Sequence, residues 1–231
     1  QLRRNKQQMT TATTWGSAKA PASGNKDIQR LDFKGISEAQ IRLVGVLIPR
    51  YTYWVVTKEG KKRSIECLSF NRETQAFDAS LQDPIKEIDP EIYGNGQGEK
   101  PGFGYVTHVI DRKDNTLKLF DPIKKTVFDK IVALAAKPAY GDPADPIKGY
   151  DLTISKKKTG PLPQNVAYDV VPSDRSTSPL SPAELELELY DLEKLFKRPT
   201  YDEQKRWLLE NTTYFLGAAG EEGKAESAKD I

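Results

Sequence analysis

The chain has few of the residues from which disulfides and metal centres are built. Its 231 residues include one cysteine, Cys67, one histidine, His108, and one methionine. A single cysteine excludes an intramolecular disulfide and is typical of a protein from a reducing compartment. Because structural zinc sites use several cysteine or histidine ligands, a site of that kind is excluded as well. We therefore expect no metal and no cofactor.

Long apolar runs and enzyme motifs are also missing. No apolar run approaches the roughly 18 residues that a membrane-spanning helix needs, so no membrane association is expected. The chain has no phosphate-binding loop, no nucleophile elbow, no His-Glu-x-x-His and no dinucleotide fingerprint. His108 lies in a predicted strand with no cysteine near it in the sequence. These absences predict a protein that is not an enzyme.

Positive and negative charges are distributed unevenly along the chain. Residues 1–80 carry a net charge of +7, residues 81–180 are neutral and residues 181–231 carry −5, within a total of +2. A basic front part is typical of a protein that binds a polyanion such as nucleic acid. Uneven charge also occurs in proteins that bind none, so the charges alone leave both interpretations open.

The order of the predicted elements is that of a mainly β (α+β) protein. Alternating, β-branched and aromatic residues predict strands over residues 40–48, 51–57, 63–70, 103–110, 117–120, 150–155 and 166–171. A helix is predicted to begin at Asp121-Pro122 and to end at Pro138. The full predicted order is three strands that form a meander over residues 40–70, a loop, a hairpin over residues 103–120, a helix and two more strands. Three strands, a helix between strands 3 and 4, and two more strands is the order of an OB-fold barrel. Such barrels bind ligands on strands 2 and 3, here residues 51–70, and on the loops at residues 49–50 and 156–161.

Two capping boxes predict a C-terminal helical pair. Ser181 with Glu184 and Thr200 with Glu203 have the spacing of a helix start. The first helix is expected to continue to Phe196 along a row of leucines. The expected organisation is a flexible basic N-terminal arm over residues 1–28, an OB-fold core over 29–175, a C-terminal helical segment over 176–216 and a disordered, weakly acidic tail over 217–231.

Aromatic and basic residues are concentrated around the second and third predicted strands. A groove for single-stranded nucleic acid needs cations for the phosphates and aromatic rings on which bases stack. Tyr51 and Tyr53 lie on one face of the second strand and Trp54 on the other, because side chains alternate. The sequence leaves open which face is exposed. The cations around these rings are Arg42, Arg50, Lys61, Lys62, Arg63 and Arg72, and a second basic cluster at an expected hairpin tip contains Lys156, Lys157 and Lys158.

An ordinary solvated surface would also carry these cations. The prediction of nucleic-acid binding therefore depends on six cations and three aromatic residues occurring together within about thirty residues. For the three adjacent lysines, a solubilising turn is an alternative interpretation.

Several short segments have the order and spacing of a known family. They are Arg42-Leu43-Val44-Gly45, Pro49-Arg50-Tyr51-Thr52-Tyr53-Trp54-Val55, Glu59-Gly60-Lys61 and residues 67–73, 119–131, 142–151 and 156–161. From about Ile41 to Phe215 the chain resembles the single-stranded DNA-binding, or helix-destabilising, proteins of tailed bacteriophages. The resemblance implies an OB-fold that coats single-stranded DNA in phage replication, recombination and repair, without catalysis, in the cytoplasm of the infected bacterial host.

The resemblance also implies roles for the two ends of the chain. A basic N-terminal segment, here Arg3, Arg4 and Lys6, would contact a neighbouring copy along the DNA strand. An acidic tail, here only weakly developed, would recruit replication or recombination proteins. Some family members hold zinc through cysteine and histidine, and this chain lacks those ligands. The alternative function is a non-catalytic structural or assembly protein of a phage, which would have no affinity for oligonucleotides.

Overall fold

The computed structural model describes residues 28–87, 100–162, 164–174 and 177–213. The strands are β1 (Glu38–Ile48), β2 (Tyr51–Val56), β3 (Lys62–Glu66), β4 (Phe70–Asn71), β5 (Ala76–Phe77), β6 (Gly102–Phe103), β7 (Val106–Asp111), β8 (Thr116–Phe120), β9 (Leu152–Lys158) and β10 (Val166–Pro172). The helices are α1 (Lys125–Ala135), α2 (Pro182–Leu185), α3 (Leu192–Leu195) and α4 (Tyr201–Asn211), with a 3-10 turn at Pro84–Glu87. The fold is mainly β with few helices, as predicted. The expected arm over residues 1–28, except Ile28, and the expected tail over residues 217–231 lie outside the described residues.

The main sheet has five strands in the order β10-β9-β1-β7-β8, all antiparallel. The long strand β1 pairs with β9 at its beginning and with β7 along most of its length. Its register with β7 shifts between Val44 and Leu47, where Gly45 has a φ of 70°. A bulge of this kind bends a strand, so β1 can contribute to both halves of a curved sheet.

The strands β2 and β3 form a separate sheet with β6, in the order β3-β2-β6. The prediction that the three strands between residues 40 and 70 form one meander of the barrel is therefore wrong. Alternation predicted β1 and β2 correctly, but the predicted strand over residues 63–70 ends at Glu66. Alternation also carries no information about the partner of a strand. The place beside β1 is taken by β7, in which Val106, Val109 and Ile110 are fully buried.

The helix α1 packs its apolar stripe against the core. Val127, Ile131 and Leu134 are its buried residues, at the expected i, i+4, i+7 spacing. The predicted start at Asp121-Pro122 is wrong, because α1 begins at Lys125. The Asp121 carboxylate accepts a hydrogen bond from Arg30 Nε at 3.2 Å, which fixes β8 to the chain preceding β1.

The predicted helix after Ser181 is interrupted. Its capping box is present, but α2 has only four residues, and the chain then runs without helix to α3. Leucine and glutamate alternate over residues 184–189, and a period of two favours an extended chain over a helix. We call residues 181–199 the strap. The second capping box, at Thr200, begins α4 as predicted.

The core lies between the main sheet, α1 and the hairpin formed by β2 and β3. Ile41, Val55, Val127 and Leu152 are fully buried there, and Leu208 of α4 joins the same cluster. Burying each such side chain stabilises the fold by about 1.5–3 kcal/mol. Within the described residues, no helix is both long enough and apolar enough to cross a membrane.

Candidate nucleic-acid interface

The β2–β3 hairpin has one buried face and one exposed face. Tyr53 points into the core and is 1% exposed, whereas its neighbour Trp54 is 55% exposed. The register places Trp54 opposite Ser64 and Val56 opposite Lys62. Alternation puts these four side chains on one side of the hairpin. We call Trp54, Val56, Lys62 and Ser64 the hairpin face.

Tyr53 is a structural residue. Its hydroxyl donates a hydrogen bond to the Asp83 carboxylate at 3.2 Å and accepts one from the Cys67 thiol at 3.4 Å. Burial raises the pKa of both Tyr53 and Cys67. The prediction that Tyr53 contacts DNA does not fit this position, because a base cannot reach a ring inside the core.

Tyr51 belongs to a cluster of aromatic rings beside the hairpin. Its ring centroid lies 4.7 Å from that of Phe70, 4.8 Å from Phe77 and 5.7 Å from Phe103. Tyr51 is half-buried, and the cluster reaches the surface through Phe77, which is 53% exposed. Tilted and edge-to-face ring contacts of this kind stabilise the packing. Sequence reasoning identified only Tyr51, because the other rings come from separate segments of the chain.

Arg50 and Arg72 hold the C-terminal part of the chain in place. Each donates from Nε to the buried Glu66 carboxylate at 3.0 Å. The Arg50 guanidinium also lies 4.4 Å above the centroid of the Phe196 ring, and Arg72 donates to the Phe196 carbonyl at 2.8 Å. Their side chains are 12% and 14% exposed. Contact with a phosphate would break these bonds, so the structure gives both residues a different role from the predicted one.

Three of the predicted cations on the hairpin are exposed. Lys62 lies on the hairpin face with Trp54, whereas Arg63 is paired with Val55 and lies on the other face. Lys61, Lys62 and Arg63 follow the turn at Gly60 and enter β3. Lys61 pairs with Glu59 at 2.7 Å, and since both side chains are more than 60% exposed, this ion pair contributes little to stability. All three cations can therefore turn towards a phosphate at low cost.

Arg42 lies in the interior. It is 0% exposed and donates to the backbone carbonyls of Ser178 at 3.1 Å, Asp145 at 2.6 Å and Pro143. Burial lowers the pKa of Arg42, against the opposing attraction of the Asp151 carboxylate. The prediction that Arg42 contacts DNA is therefore corrected, because this guanidinium ties two loops to β1.

The three adjacent lysines form the end of β9 and not a hairpin tip, which is a second correction. Lys156 is half-buried, and its Nζ donates to the Phe33 carbonyl at 2.9 Å. Lys157 and Lys158 are exposed and lie opposite Ala167 and Val166. Because successive side chains in a strand point to opposite faces, Lys157 and Lys158 cannot contact the same phosphate in the same way.

The strap covers the outer side of β7. His108 shares a hydrogen bond of 3.0 Å between Nε2 and the Tyr190 carbonyl, and burial lowers the pKa of His108. Leu192 is 3% exposed and packs with Val106 and Leu119. Nucleic acid can therefore reach this face of the main sheet only if the strap moves away.

A groove of about 960 Å³ lies between β3 and the helices α3 and α4. Its walls include Arg63 and Ser64 from β3, Phe196 from the end of α3, and Gln204 and Trp207 from α4. Ser64 also belongs to the hairpin face, so the two surfaces are continuous. Sequence reasoning missed the groove because its walls are more than a hundred residues apart in the chain.

Two further points concern metal ligands and the residues predicted for self-association. No group of three or more His, Cys, Asp or Glu side chains that could hold a metal ion occurs in the described part of the chain. Arg3, Arg4 and Lys6, predicted for self-association, lie outside the described residues.

The chain is similar to a protein whose name states a function. It is 34% identical over 167 residues to the "Probable ssDNA-binding protein" of Escherichia phage T5, an alignment that covers 69% of this chain and 60% of that relative. The predicted resemblance to the phage single-stranded DNA-binding family is confirmed. No protein-family model matches the chain.

The chain spans about 60% of the length of the T5 relative. The predicted contact residues fall into three groups in the structure. Trp54, Lys61, Lys62, Arg63, Lys157 and Lys158 are exposed; Tyr51 and Lys156 are half-buried; Arg42, Arg50, Tyr53 and Arg72 are buried or bound within the fold.

Proposed function

We propose that the chain binds single-stranded DNA with little sequence preference, through the hairpin face and the cations Lys61 and Arg63 beside it. The observation that carries this proposal is that the exposed Trp54 lies on the same face of the hairpin as the exposed Lys62. Any of the four bases can stack on an aromatic ring, so stacking has little sequence preference, and lysine and arginine side chains neutralise the phosphates. The name of the T5 relative supports single-stranded DNA as the ligand.

We also propose that the main sheet is an OB-type barrel, in which β7 and β8, and not β2 and β3, are barrel strands two and three. The order β1, β7, β8, α1, β9, β10 is again three strands, a helix and two strands. The loop between barrel strands one and two then contains residues 49–105, including the hairpin, and the loop between strands four and five contains residues 159–165. OB-folds bind oligonucleotides through these two loops as well as through their strands. Since the strap covers the strands, the loops carry the binding in this proposal.

In this proposal the protein coats DNA and catalyses nothing. Coating unpaired DNA in phage replication, recombination and repair, in the cytoplasm of the infected host, is the role that the family resemblance supports. Lys157 and Lys158 would extend the phosphate contacts to the second loop. Arg3, Arg4 and Lys6 would contact a neighbouring copy, and the acidic tail would contact replication or recombination proteins.

Replacing Lys62 with alanine tests the phosphate contact. Each phosphate contact adds about 0.7 to the slope of log K against log salt for a single strand. The Lys62→Ala variant should bind a fluorescein-labelled dT oligonucleotide more weakly at low salt, with a slope smaller by up to about 0.7. Fluorescence anisotropy at several salt concentrations between roughly 50 and 200 mM measures this slope.

Lys137→Ala is the matched control, because Lys137 is an exposed lysine in the turn after α1. It should leave the slope unchanged. An equal change in both variants would show that general charge, and not the hairpin, attracts the DNA. If the unchanged protein binds no oligonucleotide at low salt, the proposed function is wrong, and a stoichiometric protein complex in light scattering would then support a structural or assembly protein.

A further inference from the structure

We infer that the groove between β3 and α4 holds one base of the bound strand through hydrogen bonds to the base's N–H groups. This inference rests on the proposed function, and it assigns a base-binding role to Gln204, Ser64 and Trp207. The groove volume of about 960 Å³ is within the range of roughly 300–1,000 Å³ that is usual for small-molecule sites.

The first observation is an unused acceptor on a residue that lines the groove. Gln204 is 4% exposed, and its Nε2 donates to the Glu66 carbonyl at 2.7 Å. Its Oε1 is buried and accepts no hydrogen bond from any described residue. A buried acceptor without a donor is costly, so such groups are rare in folded proteins. A base N–H group entering the groove would provide the missing donor.

The second observation is the free edge of β3. The Cys67 N–H donates to the Tyr51 carbonyl of β2 at 2.8 Å. The Glu66 carbonyl accepts from Gln204 instead and therefore points away from β2. In an antiparallel pair, alternate residues direct both backbone groups to the same side. The N–H and C=O groups of Ser64 therefore point away from β2 and towards the groove. With the Gln204 oxygen they provide one donor and two acceptors, which suits the polar edge of a base.

The remaining walls suit the rest of a nucleotide. Trp207 is half-buried and lines the groove with an aromatic ring, on which a base can stack. Arg63 and Lys197, both exposed, lie in the groove walls and can neutralise a phosphate. Continuity with the hairpin face through Ser64 allows one strand to contact Trp54 and also to insert a base beside Trp207.

The shape of the groove favours a base over an extended peptide. An added peptide strand would need the length of the β3 edge. Two hydrogen bonds to α4 close that edge, one from the end of β3 and one from the turn before β3. Gln204 bridges to Glu66, and the Lys58 N–H bonds to the Asn211 carbonyl at 2.7 Å. A flat ring can enter between these bridges, but a continuous strand cannot.

The test changes the DNA and leaves the protein intact. N3-methylthymine keeps the ring and phosphate of thymine but lacks the N–H donor at N3. The unchanged protein should bind a dT oligonucleotide about tenfold more tightly than its N3-methylthymine counterpart, the effect of losing one buried hydrogen bond. In Gln204→Met, which keeps the side-chain length, binding to dT should fall and the difference between the two oligonucleotides should shrink to about twofold or less.

Gln40→Met is the matched control, because Gln40 is an exposed glutamine of β1, and it should retain the tenfold difference. Equal binding of the two oligonucleotides by the unchanged protein would overturn the base-binding groove while leaving the proposed function standing. A methylation effect that persists undiminished in Gln204→Met would overturn it as well. If the unchanged protein bound neither oligonucleotide, the proposed function itself would be wrong.

Discussion

Replacing Arg42 with methionine should lower the free energy of unfolding by about 2–6 kcal/mol, because two buried backbone carbonyls lose their donor. The guanidinium is fully buried and satisfies three backbone carbonyls from two loops, with Asp151 as its partner carboxylate at 4.0 Å. Its removal takes the Arg42 donor from the Pro143 and Ser178 carbonyls, and each such group costs about 1–3 kcal/mol when it stays buried. The Asp145 carbonyl keeps the Gly149 N–H, and the Asp151 carboxylate keeps two hydrogen bonds from Arg112. Urea unfolding followed by tryptophan fluorescence measures the change.

A loss of this size is a large fraction of the stability of a typical domain, which is about 5–15 kcal/mol. Lys148→Met is the matched control, because Lys148 is exposed in the same loop as Asp145. Its replacement should change the free energy of unfolding by no more than about 0.5 kcal/mol. If Arg42→Met unfolds at the same urea concentration as the unchanged protein but binds DNA more weakly, Arg42 is a surface contact and its buried position here is wrong.

Replacing Trp54 with alanine should weaken binding to single-stranded DNA by roughly five- to 150-fold, the loss of about 1–3 kcal/mol of stacking. Because more than half of the ring is exposed, the free energy of unfolding should change by no more than about 0.5 kcal/mol. Anisotropy of a labelled dT oligonucleotide measures the affinity, and urea unfolding measures the stability.

Trp54→Phe is the control, since a smaller aromatic ring should retain most of the affinity. A further comparison is Val171→Ala on β10, which also truncates an exposed apolar side chain and should leave binding unchanged. Equal losses in Trp54→Ala and Trp54→Phe would contradict stacking, and unchanged affinity in Trp54→Ala would remove the hairpin face from the interface.

The sequence predicted the local structure of the hairpin well. The aromatic and β-branched run at residues 51–56 and the Gly60 turn indicated β2, β3 and their connection, all of which are present. The alternation also showed that Tyr53 and Trp54 point in opposite directions. It could not show which of them is buried, because that depends on α4 and the main sheet, which are distant in the chain.

Pairing and burial of charge were less predictable. The sequence predicted that β2 pairs with β1. In the structure β1 pairs with β7 and β9, and the hairpin belongs to a separate sheet with β6. The sequence predicts Arg42 as a DNA contact because it is one of the cations around the aromatic residues of the second strand. Its burial depends on carbonyls near residues 143–145 and 178, which no local pattern indicates. The strap was expected to be helical because a capping box precedes it, although the leucine–glutamate alternation that follows favours an extended chain.

The most direct test of whether single-stranded DNA binds the hairpin face is to locate the bound DNA on the protein. An oligo-dT carrying 5-iododeoxyuridine can be photo-crosslinked to the protein, and the crosslinked peptide identified by mass spectrometry. The account predicts crosslinks to Trp54 on the β2–β3 hairpin, reduced by competing unlabelled dT oligonucleotide. Crosslinks found only on β7 or β8, beneath the strap, would contradict it.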